Sequence, residues 1–222
     1  MRRVSANVPL SSISATTLPE VEEEPGIATF QAAAIIHRHR GDALITNTMT
    51  AIFAITTVSP SPLNLASVPL MGGASGLGFG LAMAQPDRHI LVLNGDASLL
   101  MELGTLAQIA DVAPPRFVHF VFNNAVQFNG LASLDRPGRN LDFCALAQAA
   151  GYASAQKADT SEALDAILLR LLDASGSHFV ELAIEAPHKF TKATPQPEIP
   201  DLQFARMGAE AQAMMEALET TR

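Results

Sequence analysis

Gly95-Asp96-Ala97-Ser98 and, further along, Asn123-Asn124 each follow an apolar run. His89-Ile90-Leu91-Val92-Leu93-Asn94 precedes the first, and Phe117-Val118-His119-Phe120-Val121-Phe122 the second. Asp96 and Asn124 thus place a carboxylate and a carboxamide at the ends of two strand-like segments. Both are hard oxygen donors of the kind a divalent cation such as Mg²⁺ takes. Between them, Leu99 to Val112 reads as a proline-free helix, whose first N–H groups are open to a phosphate. Residue types in this order predict a clamp for Mg²⁺ and a diphosphate. Singly, each has an ordinary explanation: an aspartate capping a helix, or an asparagine in a turn.

The elements that must position these groups follow from apolar periodicity and turn residues. Ala28 to Arg40 reads as a helix and Ala43 to Asn47 as a short strand. The polar tip Asn47-Thr48-Met49-Thr50 then leads into apolar Ala51 to Val58. Ser59 to Pro69 reads as a proline-bearing loop. Gly72 to Ala84 mixes Gly and Ala with large apolar residues, as in a helix lying very close to a sheet. Gly76-Leu77-Gly78 nearly matches a dinucleotide fingerprint, but Leu81 stands in place of the third glycine, so close packing is the better reading. A loop is expected over Asn124 to Asn140, helices over Leu141 to Ala150 and Ser161 to Ala174, and a last strand over His178 to Glu185. A proline-rich linker (187–200) and a terminal helix (202–218) follow. Strands alternating with helices, the inner strands continuously apolar, predict an α/β fold with three layers (αβα) around a mainly parallel sheet.

Composition narrows the function. The 222 residues are 48% hydrophobic and 16% charged, with a formal net charge of −8. This suits one domain with a buried core and argues against nucleic acid or an anionic membrane as partner. Every apolar run is broken before membrane-spanning length. One cysteine, Cys144, allows no intrachain disulfide or cysteine-rich metal site, so a cytoplasmic setting is expected. Residues 1–27, polar and acidic, are expected to form a flexible segment, 28–186 the domain, and 187–222 a linker with its helix. His119 and His89 are expected to be packed or hydrogen-bonded within the fold. His37 and His39 are expected on an exposed helix face with Arg38 and Arg40. The Met-rich terminal helix is read as a docking surface.

The Asp96 and Asn124 segments resemble the diphosphate-binding domain of thiamin-diphosphate enzymes, whose signature is Gly-Asp-Gly, a gap, and Asn-Asn. Other segments are similar too: Ala43 to Thr48 to its first strand, Val68 to Gly80 to its Gly/Ala-rich cradle, and Leu141 to Tyr152 to its "Asp-Phe … Ala-Gly-Tyr" segment. Within the family, Pro69 to Gly72 and Leu99 to Leu106 look most like sulfopyruvate decarboxylase β subunits and phosphonopyruvate decarboxylases. Ala97 stands where the family has its second glycine. That is nearly neutral if its φ is negative and strained if positive. Gln127 stands where relatives often carry an aromatic residue.

The resemblance implies thiamin diphosphate and Mg²⁺ as cofactors. Asp96, Asn124 and the backbone carbonyl of Val126 would hold the metal. Gly95, Ala97 and Ser98 would meet the diphosphate from one strand end, and Asn47 and Thr50 from the next. Met71 would bend the cofactor, with the Pro69 or Leu70 carbonyl accepting from its amino group. It further implies a glutamate supplied by a separate pyrimidine-binding domain, for which this chain shows no segment. No catalytic side chain is therefore assigned here, and a partner subunit in a hetero-oligomer, with homodimer contacts, is expected. A small 2-oxoacid would lose CO₂, and Arg136 and Arg139 are available for its anionic group. Another split lyase or carboligase, or a non-catalytic regulatory subunit, are the alternatives.

Overall fold

The computed structural model describes residues 26–68, 70–128, 132–186, 191 and 202–219, with only the backbone at 128 and 202–205. The expectations for residues 1–25, the Pro69 carbonyl and most of the linker fall outside them. The apolar runs become strands β1 (Leu44–Asn47), β3 (Ile90–Gly95), β4 (Arg116–Asn123) and β8 (Gly176–Ala183). With β2 (Asn64–Ala66) and β7 (Ser154–Ala158) they form a six-stranded sheet in the order β2-β1-β3-β4-β8-β7. Every pairing in it is parallel. Continuous apolarity has its cause here, because both faces of each inner strand are covered.

Alternate residues serve opposite faces. Ile45, Leu91, Leu93, Val118, Phe120 and Val180 pack beneath α1 (Thr29–His39), α2 (Thr50–Val58) and α7 (Ser161–Leu171). Leu44, Ile90, Val92, Phe117, Val121 and Phe179 pack against α3 (Gly73–Ala84), α5 (Thr105–Val112), α6 (Phe143–Ala150) and α8 (Leu202–Glu219). Three layers result, as expected.

Several boundaries differ from expectation. The single helix expected over 99–112 is two, α4 (Asp96–Met101) and α5, because the chain leaves helical geometry at Glu102 and turns through Gly104. The loop expected over 124–140 contains an antiparallel hairpin of β5 (Val126–Phe128) and β6 (Ser133–Asp135). The loop at 59–69 contains edge strand β2, and Ser154–Ala158 is a strand with little apolar signature. Residues expected in the flexible N-terminal segment also enter the fold: Ile27 is buried, bridges Ile184 in parallel, and donates to the Ala183 carbonyl.

The terminal helix docks on this same chain. Met207, Ala211, Met214 and Leu218 join the second core, and the Glu210 carboxylate accepts from the Ala66 N–H at 2.6 Å. That caps an otherwise open edge donor of β2. Arg40, expected on an exposed face, is buried. It donates to Ser59 Oγ, Asn64 Oδ1 and the Ala43 carbonyl, tying the end of α1 to the loop before β2.

Candidate metal and diphosphate site

The chain runs from β1 outward to β2, then crosses back so that β3 and β4 add on the other side of β1. The connections leaving β1 and β3 therefore diverge at their carboxyl ends, opening the crevice where parallel α/β sheets take ligands. In register, Asn47 lies beside Leu93, and Gly95 beside Phe122. The tips carrying Asn47, Asp96 and Asn124 are consequently neighbours.

Asp96 begins α4 and is buried. Its Oδ2 accepts from the Ala125 N–H at 3.0 Å and from Arg136 Nε at 2.6 Å. Burial pushes this carboxyl above the usual range, while the Ala97 N–H, the Arg136 guanidinium and the Ala125 N–H pull it back. The Ala125 bond joins the acid to the residue next to Asn124. Asn124, also buried, accepts from the Val126 N–H at 3.0 Å through Oδ1, which shapes the turn into β5. Ala97 has no positive φ, so the missing glycine is nearly neutral here.

Around this acid the structure brings together most of the expected residues. Ser98 is buried and its Oγ accepts from the Gly72 N–H at 2.7 Å, leaving its own O–H to donate. Gly72 has φ +89, where a side chain would be strained and would run into Glu102. Leu70 and Met71 are exposed beside it, Met71 by 37%. On the β1 side, Asn47 and Thr48 are buried, and Asn47 Oδ1 and Thr48 Oγ1 find no hydrogen-bond partner among the described residues. Thr50 opens α2, whose start has no side-chain cap. Met49 between them has φ 49 and ψ −122, and Ala125 has φ 56. Two non-glycine residues thus hold strained backbone at the tips of β1 and β4, on either side of β3, a pattern that concentrates at functional sites.

Three features had no sequence signal. Thr48 looked like part of a strand end, and the strain at Met49 and Ala125 carries no residue-type mark. Arg136, expected to face a substrate, is wholly buried behind Asp96. Its Nη1 donates to the Pro137 and Gly138 carbonyls, its guanidinium lies over the Phe143 ring, and Nη2 has no acceptor among the described residues. Arg139 instead pairs with Asp135, both half exposed.

Deeper in the sheet, Asn94 Nδ2 donates to Ser75 Oγ at 2.8 Å, and Asn94 Oδ1 accepts from the Gly95 N–H at 3.0 Å. His119 Nδ1 bonds the Tyr152 hydroxyl at 3.1 Å, with Ser75 Oγ 3.4 Å from Nε2. Burial holds the imidazole down at about 3, so it is a neutral member of a packed network. The expectation of a packed, hydrogen-bonded histidine is met.

The donor set fits a hard cation joined to a diphosphate. Asp96, Asn124 and the Val126 carbonyl offer only oxygen. The Thr48 hydroxyl, desolvated with no partner among the described residues, leaves a donor that a phosphate oxygen could accept from, while the orphan atom of Asn47, Oδ1, is an acceptor.

Residues 46–182, more than half of the chain, match the family described as "Thiamine pyrophosphate enzyme, C-terminal TPP binding domain". The chain belongs to that family. Phosphonopyruvate decarboxylase of Streptomyces viridochromogenes is 31% identical over 147 residues, 65% of this chain and 36% of that protein. Sulfopyruvate decarboxylase subunit beta of Methanothermobacter thermautotrophicus is 37% identical over 68 residues, 31% of this chain and 36% of that one. These matches span about a third of the relatives' own length. Among solved structures, a thiamine diphosphate-dependent 4-hydroxybenzoylformate decarboxylase of Rhodococcus jostii shares the fold. Its TM-score is 0.63 at 21% identity, covering 75% of this chain and 34% of that one. Among the described residues, no helix is long and apolar enough to cross a membrane.

Proposed function

We propose that this chain is the diphosphate- and Mg²⁺-binding subunit of a thiamin-diphosphate-dependent 2-oxoacid decarboxylase, acting on sulfopyruvate, phosphonopyruvate or a similar acid. The observation that carries the reading is the Ala125 N–H bond to Asp96, which sets the acid beside Asn124 at the next strand tip. The family match and the names of the decarboxylase relatives support it.

Thiamin diphosphate, when bound, supplies the nucleophilic carbon and the electron sink for loss of CO₂. The chain's share is positional. Asp96, Asn124 and the Val126 carbonyl hold the metal, while Asn47, Thr50, Gly95, Ala97 and Ser98 line the diphosphate. Thr48 joins that lining through its hydroxyl, which has no partner among the described residues. Leu70 and Met71, exposed at the crevice rim, seat the rings. Residues 28–186 form the binding domain, against which α8 packs. The glutamate that activates the cofactor comes from a pyrimidine-binding partner subunit. The "subunit beta" of the archaeal relative's name supports that division.

Co-purification with such a partner and a screen of 2-oxoacids for CO₂ release tests the reading. The complex should turn over a small anionic 2-oxoacid, and this chain alone should turn over none. Asp96→Asn should abolish Mg²⁺-dependent cofactor binding to the complex; unchanged affinity would end the proposal. A complex that binds cofactor but decarboxylates no 2-oxoacid would point to a non-catalytic, regulatory subunit.

A further inference from the structure

One oxygen of Asp96 fastens both feet of the β5–β6 hairpin. Ala125, immediately before β5, donates its N–H to Oδ2 at 3.0 Å, and Arg136, immediately after β6, donates Nε to the same oxygen at 2.6 Å. The circuit closes on itself, since the Arg136 N–H donates to the Ala125 carbonyl at 2.8 Å and Val126 pairs with Asp135. The guanidinium is held from behind by the Pro137 and Gly138 carbonyls at 2.9 and 2.8 Å, and by the Phe143 ring with its centroid 5.0 Å away. Arg136 and Asp96 have side chains 0% and 3% exposed.

A planar fork with two ends anchored cannot slide, and a buried pair of this kind fixes geometry more than it adds stability. The segment it fixes is the one carrying Asn124 and the Val126 carbonyl, through an Ala125 held at φ 56. We propose that Arg136 is a positioning residue of the metal site. It occupies Asp96 Oδ2 so that the rest of the carboxylate faces the cation, and it folds the Asn124–Val126 turn into ligand geometry before the metal arrives. This rests on the reading of Asp96 and Asn124 as metal ligands. It assigns Arg136 to the wall behind the cation rather than to the substrate.

The test uses the full chain with Mn²⁺ as the probe, free Mn²⁺ being read by electron paramagnetic resonance in the presence of thiamin diphosphate. Arg136→Gln should bind Mn²⁺ at least about tenfold more weakly per folded molecule, the range found when groups supporting a metal ligand are removed. Amide exchange at Ala125 and Val126 should quicken while that of β3 and β4 stays as in the wild type. Equal or tighter Mn²⁺ binding by the variant, tighter being the mark of a guanidinium that merely competes with the cation, would overturn the proposal. So would unchanged exchange at the two amides. If Arg136→Gln does not fold, Arg136→Lys, which keeps the charge but lacks the fork, takes its place: weaker Mn²⁺ binding and faster exchange support the proposal, and no change in either overturns it. A wild type that takes up no Mn²⁺ would overturn the metal reading and this inference together. A wild type that binds while the variant binds equally would overturn only the role of Arg136.

Discussion

Gly78 of α3 lies against Val92 of β3 so closely that a Cβ on the glycine would sit 2.4 Å from Val92 Cγ2 and 2.9 Å from Thr46 Oγ1. The helix reaches the sheet because of this missing methyl. Gly78→Ala should destabilise by roughly 1–3 kcal/mol, the range for overpacking a filled core. Gly76 and Gly80 on the same helix have nothing within 4 Å. Their alanine variants should be neutral or gain up to about 1 kcal/mol from helix propensity. Chemical denaturation of the three variants measures the contrast, and equal effects would contradict the close approach.

Thr48 is buried and its hydroxyl has no partner among the described residues. Thr48→Val removes a desolvated polar group at nearly constant volume. The unliganded chain should become more stable, by about 1 kcal/mol. If that hydroxyl meets a phosphate, the same variant should bind thiamin diphosphate with Mg²⁺ more weakly. Melting with and without cofactor separates the two effects, and a loss of unliganded stability would show the hydroxyl to be partnered.

Asp96 is a counterion as well as a candidate ligand. Asp96→Ala leaves the Arg136 guanidinium buried without its carboxylate and should destabilise by about 3–5 kcal/mol. Asp96→Asn keeps the shape and an oxygen acceptor, and should lose less. A double variant, Asp96→Asn with Arg136→Gln, should recover part of the loss, because no isolated charge remains. Additive losses across the cycle would mean the two side chains act independently.

His119 gives the stability a dependence on pH. Its folded value is lowered to about 3 by burial, against an ordinary 6.5. Between these, the unfolded chain binds a proton that the folded chain refuses, so stability is full above about 6.5 and falls as the pH drops toward 3. The slope from this group is about 1.4 kcal/mol per pH unit. His119→Gln should lower stability at neutral pH while flattening the acid limb by one proton's worth. An unaltered acid limb would contradict a buried neutral imidazole.

Met214 is 2% exposed under α8, and its neighbour Met215 is 63% exposed. Met214→Ala should destabilise by about 2–5 kcal/mol, while Met215→Ala should stay within about 0.5 kcal/mol. Equal small effects in denaturation would mean that α8 does not hold its place on β2.

What could be read from the chain itself was local and periodic. The unbroken apolarity of 90–93 and 117–122 required strands covered on both faces. The alternation of such runs with helical stretches required a parallel sheet. An acid and an amide at strand ends carried the oxygen donors a cation needs. The pairing of Gly76 and Gly78 signalled close helix packing, and the sheet atoms facing Gly78 account for it. These signals are contained in a dozen or so neighbouring residues, the scale over which side-chain periodicity works.

Everything that depends on distant segments meeting was set by the tertiary structure. The Ser154–Ala158 strand, with no alternation of its own, forms because β8 offers it a ladder. The break between α4 and α5 has no proline to announce it. Arg136, read from the sequence as available for a substrate's anionic group, is instead held beneath the candidate metal site by a carboxylate 40 positions earlier in the chain. Composition and spacing cannot say which charge a buried arginine will meet, because that partner is chosen by strand order and by the need to neutralise Asp96 away from water.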